Sequence, residues 1–274
     1  MRQYVFRVLV AALVLPAGAA SEGTAMPQRT TQVTVSYESR SPVTLHEPVF
    51  IDFSVQNRLS EEIRLDLGDD YKTNFVFRII GPDGAAKRVR AKVHGGLSLI
   101  GRTSVPPMGR YSQEFLLSEL YYFDKPGSYR IEAALDSPVR KRNGASIRVA
   151  TRRAIKIDML PRNPSVLARK CEDLAITVER RTSFSEARDA ALTLSYVIDP
   201  VSVPYLERIL VLEEWGDFGL AGLARVADPA SIKILRSAAE SGSQPRRSLA
   251  TGMLETIQKG ERDPLKRGKI TIID

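Results

Sequence analysis

One stretch of the chain occurs twice. Leu192–Leu206 reads LTLSYVIDPVSVPYL and Ala221–Leu235 reads AGLARVADPASIKIL, an offset of 29 residues. Under that offset Leu194 falls on Leu223, Val197 on Val226, Asp199 on Asp228, Pro200 on Pro229, Ser202 on Ser231, Val203 on Ile232 and Leu206 on Leu235. A period of this size marks stacked supersecondary units, each burying a face that its neighbour supplies. Within one unit an apolar helix ends, Asp-Pro turns the chain, and a second helix begins. Asp suits the N-cap because its carboxylate accepts from the free N–H groups of the first turn. The Pro that follows lacks an N–H that would be unpaired there anyway. Val203, Leu206 and Leu210 then fall at i, i+3 and i+7, as do Ile232, Leu235 and Ala239, one apolar stripe per helix. Pro204 fits a helix that starts near Ser202.

Small and apolar residues, then Asp-Pro, then an apolar helix, twice over: this pattern resembles HEAT-like repeats of the short type named after phycobilisome lyases. The resemblance spans about residues 164–258. Such repeats occur in binding scaffolds as well as in the lyases, so it implies a fold and a mode of working, not a reaction.

The 274 residues suit two modest domains better than one. Residues 1–20 read as a secretory signal peptide. Arg2 and Arg7 make a basic start, Val8–Leu15 an apolar centre, and Ala17-Gly18-Ala19 a small-residue cleavage site. The apolar run is shorter than the about 20 residues that span a bilayer, so no transmembrane span is expected after cleavage. Residues 21–31 read as a flexible leader. Cys171 is the single cysteine. No internal disulfide can form, and stability rests on packing. It stands on an apolar stripe between Leu167 and Leu174, which suits a buried structural thiol.

From Gln32 the period changes to two. Val33, Val35 and Tyr37 form one alternating series; Val49, Ile51, Phe53 and Val55 another; Ile63, Leu65 and Leu67 a third; Phe75, Phe77 and Ile79 a fourth. Each reads as a strand with one face in a core. Val89–Val93, Tyr111–Leu117, Tyr129–Leu135 and a hairpin across Val139–Val149 around Asn143-Gly144 follow, and Ile155 with Ile157 closes the set. Residues 95–110 read as a loop with at most one short strand. Eight or nine short strands without helix periodicity predict an antiparallel β-sandwich over 32–160. The segment Gly109–Leu135, with its tyrosine-rich loop and its Pro-Gly-Ser-Tyr-Arg run, resembles Ig-like domains of secreted bacterial proteins.

Pro161–Pro164 is the expected linker. Asn163 caps a helix whose stripe is Leu167, Cys171, Leu174 and Val178. Ser183 with Glu186 makes a capping box for the next helix. The expected architecture is therefore an Ig-like β-sandwich followed by a short HEAT-like α-solenoid of about six helices over 161–258, with a polar tail over 259–274.

Net charge is +8. Residues 20–160 hold 21 basic and 16 acidic side chains, against 17 and 16 over 161–274. That mild excess is not the dense basic footprint of a dedicated nucleic-acid binder. The two histidines, His46 and His94, stand in no zinc-protease spacing. Serine stands in no nucleophile-elbow pattern, and no Gly-rich phosphate loop precedes a helix. No catalytic residue and no cofactor is therefore assigned. The one metal candidate is Asp66, Asp69 and Asp70 in LDLGDDYK, oxygen ligands of the type calcium takes. An ordinary solvated loop explains them as simply.

Surface candidates remain. Arg88, Arg90 and Lys92 occupy one face of one strand and could meet an acidic partner, or be a solvated face that discourages edge pairing. Tyr121, Tyr122 and Phe123 in a loop, and Trp215 and Phe218 between helices, could be interface anchors or internal packing. These features lead to an exported, non-enzymatic scaffold that binds another protein through the solenoid or the sandwich loops. Two alternatives stand beside it. One is an inhibitor of an extracellular or periplasmic hydrolase acting through a loop in 95–127. The other is an enzyme with a site at the domain junction, near His94 or the three aspartates.

Overall fold

The computed structural model describes residues 32–91 and 99–269. The signal-like start, the leader, Lys92, His94 and Ile270–Ile273 lie outside the described residues. The β half consists of β1 (Val33–Glu38), β2 (Val43–Thr44), β3 (Phe50–Asn57), β4 (Ile63–Asp69), β5 (Phe75–Ile80), β6 (Ala86–Arg90), β7 (Ile100–Val105), β8 (Arg110–Leu116), β9 (Gly127–Leu135), β10 (Arg140–Lys141) and β11 (Arg152–Leu160). They form three sheets, ordered β1-β3-β8, β10-β4-β7 and β2-β11-β9-β5-β6.

Alternation builds the core. Val33, Val35 and Tyr37 of β1, Ile51, Phe53 and Val55 of β3, Phe75, Phe77 and Ile79 of β5, and Tyr129, Ile131, Ala133 and Leu135 of β9 all point inward and share one buried cluster. Phe53 meets Phe75 edge-on at 4.8 Å, and Phe75 lies 4.4 Å from Phe115, contacts that join the β1-β3-β8 sheet to the five-stranded one. The N-terminal half is thus a β-sandwich.

Three details refine or depart from the sequence reading. Residues 100–105 supply the one short strand allowed within 95–110, β7, which pairs with β4; its alternation is blurred because Gly101 and Thr103 hold inward positions and Ile100 faces out. The 139–149 hairpin contracts to β10 with an Arg140–Ser146 bridge. The sandwich is also not wholly antiparallel, since β2 pairs parallel with β11; two residues preceding a turn gave no period to read. Between Asp66 and Asp69 the β4–β7 register slips. Gly68 takes φ +75° there, and a Cβ on it would stand 2.2 Å from Thr73 Oγ1, so only glycine fits the kink.

Among the described residues seven helices follow: α1 (Pro164–Arg180), α2 (Phe184–Leu194), α3 (Val203–Leu210), α4 (Gly216–Val226), α5 (Pro229–Ser241), α6 (Gln244–Gln258) and the four-residue α7 (Pro264–Arg267). Helices α1 with α2, α3 with α4 and α5 with α6 pack as consecutive pairs. The caps form at the sequence positions that suit them. Asn163 accepts from Val166 N–H at 3.2 Å, and Asp228 from Ser231 N–H at 2.7 Å. Pro204 lies in the first turn of α3, where proline removes no helical bond. Helix α4 is the buried centre of this half. Its Gly222 lets α3 approach; a Cβ would lie 2.4 Å from Leu206 Cδ2. The stretch read as a polar tail carries α7, which packs on α4 and α6.

A junction clamp and an open cleft as the candidate functional site

The sandwich meets the helices at the first Asp-Pro turn. Leu45 N–H donates to Leu160 O at 3.0 Å and Thr44 Oγ1 to Pro161 O at 2.8 Å. These bonds bring the β2 turn beside the linker. His46 follows with φ +72°, a left-handed conformation that histidine tolerates better than most residues. Its Nδ1 lies 2.9 Å from Asp199 Oδ2. Arg162, in the linker two residues past β11, donates from Nε to Oδ2 at 2.5 Å and from Nη2 to Oδ1 at 2.8 Å. Val201 N–H donates to Oδ1 at 3.0 Å, the cap that the Asp-Pro pair predicts. Asp199 is completely buried. Burial opposes its ionisation, but Arg162, His46 and the Val201 N–H outweigh it and hold the carboxyl down at about 2.

Around this clamp there is little space. Tyr122 stacks on His46, rings 20° apart with centroids at 6.2 Å. The cavity between His46, Tyr122 and Tyr196 measures about 10 Å³, no more than one water fills at about 10–15 Å³. Behind it Arg225 lies over the Tyr196 ring at 3.8 Å and donates to Ser195 O at 3.0 Å and Gly268 O at 2.9 Å. Burial lowers its pKa.

On another side of the junction a cleft of about 940 Å³ opens between the sandwich and helices α1 and α2. Gln113, Glu114, Phe115 and Leu116 of β8 form one wall, with Arg40, Phe50 and the Asp70–Lys72 turn. Lys170, Leu174, Thr177, Glu186 and Asp189 stand on the helical wall. Arg40 pairs with Glu114 at 2.9 Å and Lys72 with Glu119 at 3.3 Å. Burial pushes the Glu114 carboxyl above its usual range; Arg40 opposes the shift and Asp52 adds to it.

The sequence candidates fall in several places. Phe123 is in the sandwich core, with Tyr121 and Tyr122 half-buried beside the junction. Trp215 is in the helical core, packed between the exposed Phe184 and the half-buried Phe218. Arg88 stands opposite Arg78 across β5 and β6, and Arg90 pairs with Asp136; both are exposed. Asp66 Oδ1 accepts from Gly68 N–H at 3.0 Å and Asn74 Nδ2 at 3.2 Å, and Asp70 Oδ1 accepts from Leu99 N–H at 3.2 Å. Asp66 thus ties the β4–β5 turn and Asp70 joins that turn to the residue before β7, while Asp69 is exposed at the end of β4. Among the described residues no three His, Cys, Asp or Glu side chains converge as metal ligands. Cys171 is buried in the helical core, and burial pushes its thiol up to about 12. Sequence reasoning found the cap at Asp199 and missed the clamp, whose other members lie 37 and 153 residues away.

Among the described residues no helix is long and apolar enough to cross a membrane. No family model matches the chain, and no curated protein matches it. Solved structures match over about half of it. A Bordetella pertussis protein described as ApaA is 11% identical, covering 46% of this chain and 91% of its own, with a TM-score of 0.29. The CARDB domain of PF1109 from Pyrococcus furiosus, solved with di-metal ions, is 12% identical over 47% and 87%, at 0.26. The PapD-like domain 7 of human CEP192 is 11% identical over 57% and 99%, at 0.30. At such scores these likenesses say nothing of what this chain binds.

Proposed function

We propose that the protein is an exported, non-enzymatic scaffold that binds another protein in the cleft between the sandwich and helices α1 and α2. In this reading the helices are a short HEAT-like stack whose first pair supplies one wall, and the sandwich covers that end of the stack. The observation that carries it is the pairing of a filled, ion-clamped junction with an open cleft of about 940 Å³. A surface held rigid before binding loses less conformational entropy on association. Export rests on the signal-like residues 1–20. The test is charge reversal. Lys170→Glu with Asp189→Lys weakens a purified partner's affinity without shifting the melting temperature, and Lys233→Glu on α5 does neither. Equal affinities across all three proteins refute the cleft.

One observation favours a second reading, inhibition of an extracellular or periplasmic hydrolase. The Pro106–Gly109 turn between β7 and β8 presents Met108 at φ +55° and 68% exposure. Gly109 N–H donates to Pro106 O at 3.0 Å and Met108 N–H to Leu59 O at 3.2 Å, so the turn is closed on itself and braced against the β3–β4 connection. Loss of partner affinity on Met108→Asp, with the cleft variants unaffected, would select inhibition.

A further inference from the structure

Strand β8 ends its sheet, and no described strand bonds its outer edge. Two bonds at its ends fix the phase. Asn57 N–H donates to Gly109 O at 2.9 Å, and Leu117 N–H to Val49 O at 2.8 Å. Antiparallel partners alternate between pairs that exchange both bonds and pairs that exchange none. Tyr111, Gln113 and Phe115 therefore direct their backbone groups to β3, and Ser112, Glu114 and Leu116 turn theirs outward. The cleft touches four successive β8 residues, Gln113 to Leu116. Successive side chains point to opposite faces, so a cleft lined by four in a row faces the edge of the strand.

The register also sets what would sit beside that edge. Ser36, Ser54 and Ser112 lie in one cross-strand row, Glu38, Asp52 and Glu114 in the next, and Phe50 with Leu116 in the one after. Like charges directly opposite one another are unfavourable. Arg40 alone among the described residues forms an ion pair with this carboxylate row.

We propose that an extended segment of a partner polypeptide adds to β8 as a further antiparallel strand, placing a Lys or Arg beside Glu114 and an apolar residue beside Leu116. Main-chain bonds supply affinity and the alternate side chains supply selectivity. The added cation relieves the carboxylate row. Helices α1 and α2 close the far side of the cleft, which leaves a volume suited to one strand rather than to a second copy's sheet. This assignment rests on the cleft being the binding surface.

The test uses the full-length chain and the peptide acetyl-Thr-Leu-Thr-Lys-Thr-Ser-Thr-amide, with a scrambled peptide that sets Leu, Lys and Ser side by side. Binding is expected to be saturable for the alternating peptide alone. On binding, the amides of Ser112, Glu114 and Leu116 gain protection from hydrogen exchange, and those of Gln113 and Phe115 are protected already. Ser112→Pro removes an N–H that β3 does not use and lowers affinity about tenfold or more. Glu114→Lys does the same, and a peptide with Glu in place of Lys restores binding to that variant. Equal binding of the scrambled peptide overturns the proposal, as does protection of Ser112 and Glu114 in the free chain. A dimer that Ser112→Pro dissociates assigns the edge to a second copy instead. A partner held in the cleft with undiminished affinity by Ser112→Pro sinks strand addition and leaves the cleft reading standing.

Discussion

Arg162 and Asp199 form a two-pronged ion pair across the junction of the sandwich and the helices, with Arg162 43% exposed and the carboxylate wholly buried. The asymmetry matters. The cation keeps part of its hydration, whereas the anion has exchanged water for protein donors. Arg162→Ala removes two donors and leaves a buried charge with only His46 and a backbone N–H. We expect it to lower unfolding stability by about 3 kcal/mol, read by urea denaturation. A loss under about 0.5 kcal/mol would mean that water replaces Arg162 freely.

The same carboxylate sets an acid limit. Its folded pKa of about 2 lies below the unfolded value, so its contribution is fully present above about pH 4. It is lost as pH falls through the folded value, and amounts to about 2 kcal/mol. Asp199→Asn is expected to be less stable at pH 7 and to show a flatter stability profile between about pH 4 and pH 2. Parallel profiles for the two proteins would contradict this.

Cys171 should be silent in the native state. Burial removes it from reagent and pushes the thiol up to about 12, so little nucleophilic thiolate is present near pH 8. An aromatic disulfide reagent is expected to titrate it only with denaturant. Rapid native labelling would show that α1 opens locally.

Arg225 holds the C-terminal segment through Gly268 O, and Arg267 donates to Ala224 O at 3.1 Å. Arg225→Met takes away that tether and leaves Ser195 O without its buried donor, at a cost of about 2–3 kcal/mol. Limited trypsin digestion should then cut after Lys266 or Arg267 early. An unchanged digestion pattern would mean that the α7 packing alone is enough.

Much of the fold was legible because it follows period. The runs through Val33, Ile51, Phe75 and Tyr129 place an apolar residue at every second position and became strands; the stripes through Leu167 and Leu206 became helices. Strand β7 was legible only as one short strand somewhere in 95–110, because Gly101 and Thr103 hold its inward positions and Ile100 faces out. The site was less legible still. Asp199 and Asp228 occupy equivalent positions in the repeat, and both cap a helical turn. Sequence alone gives them one role. Only the first also meets Arg162 and His46, partners that tertiary packing brings from elsewhere. The cleft, likewise, belongs to no single segment.

The cleft is tested most directly by a photo-crosslinking residue placed at Asp189 on its helical wall, with a control at Lys233 on α5, in the full-length chain expressed in its own host. Adducts are identified by mass spectrometry and confirmed with the purified partner. One discrete protein adduct is expected at Asp189, absent at Lys233 and competed away by the unlabelled chain. Adducts of equal yield at both positions, or a partner that crosslinks only at Lys233, would contradict binding in the cleft.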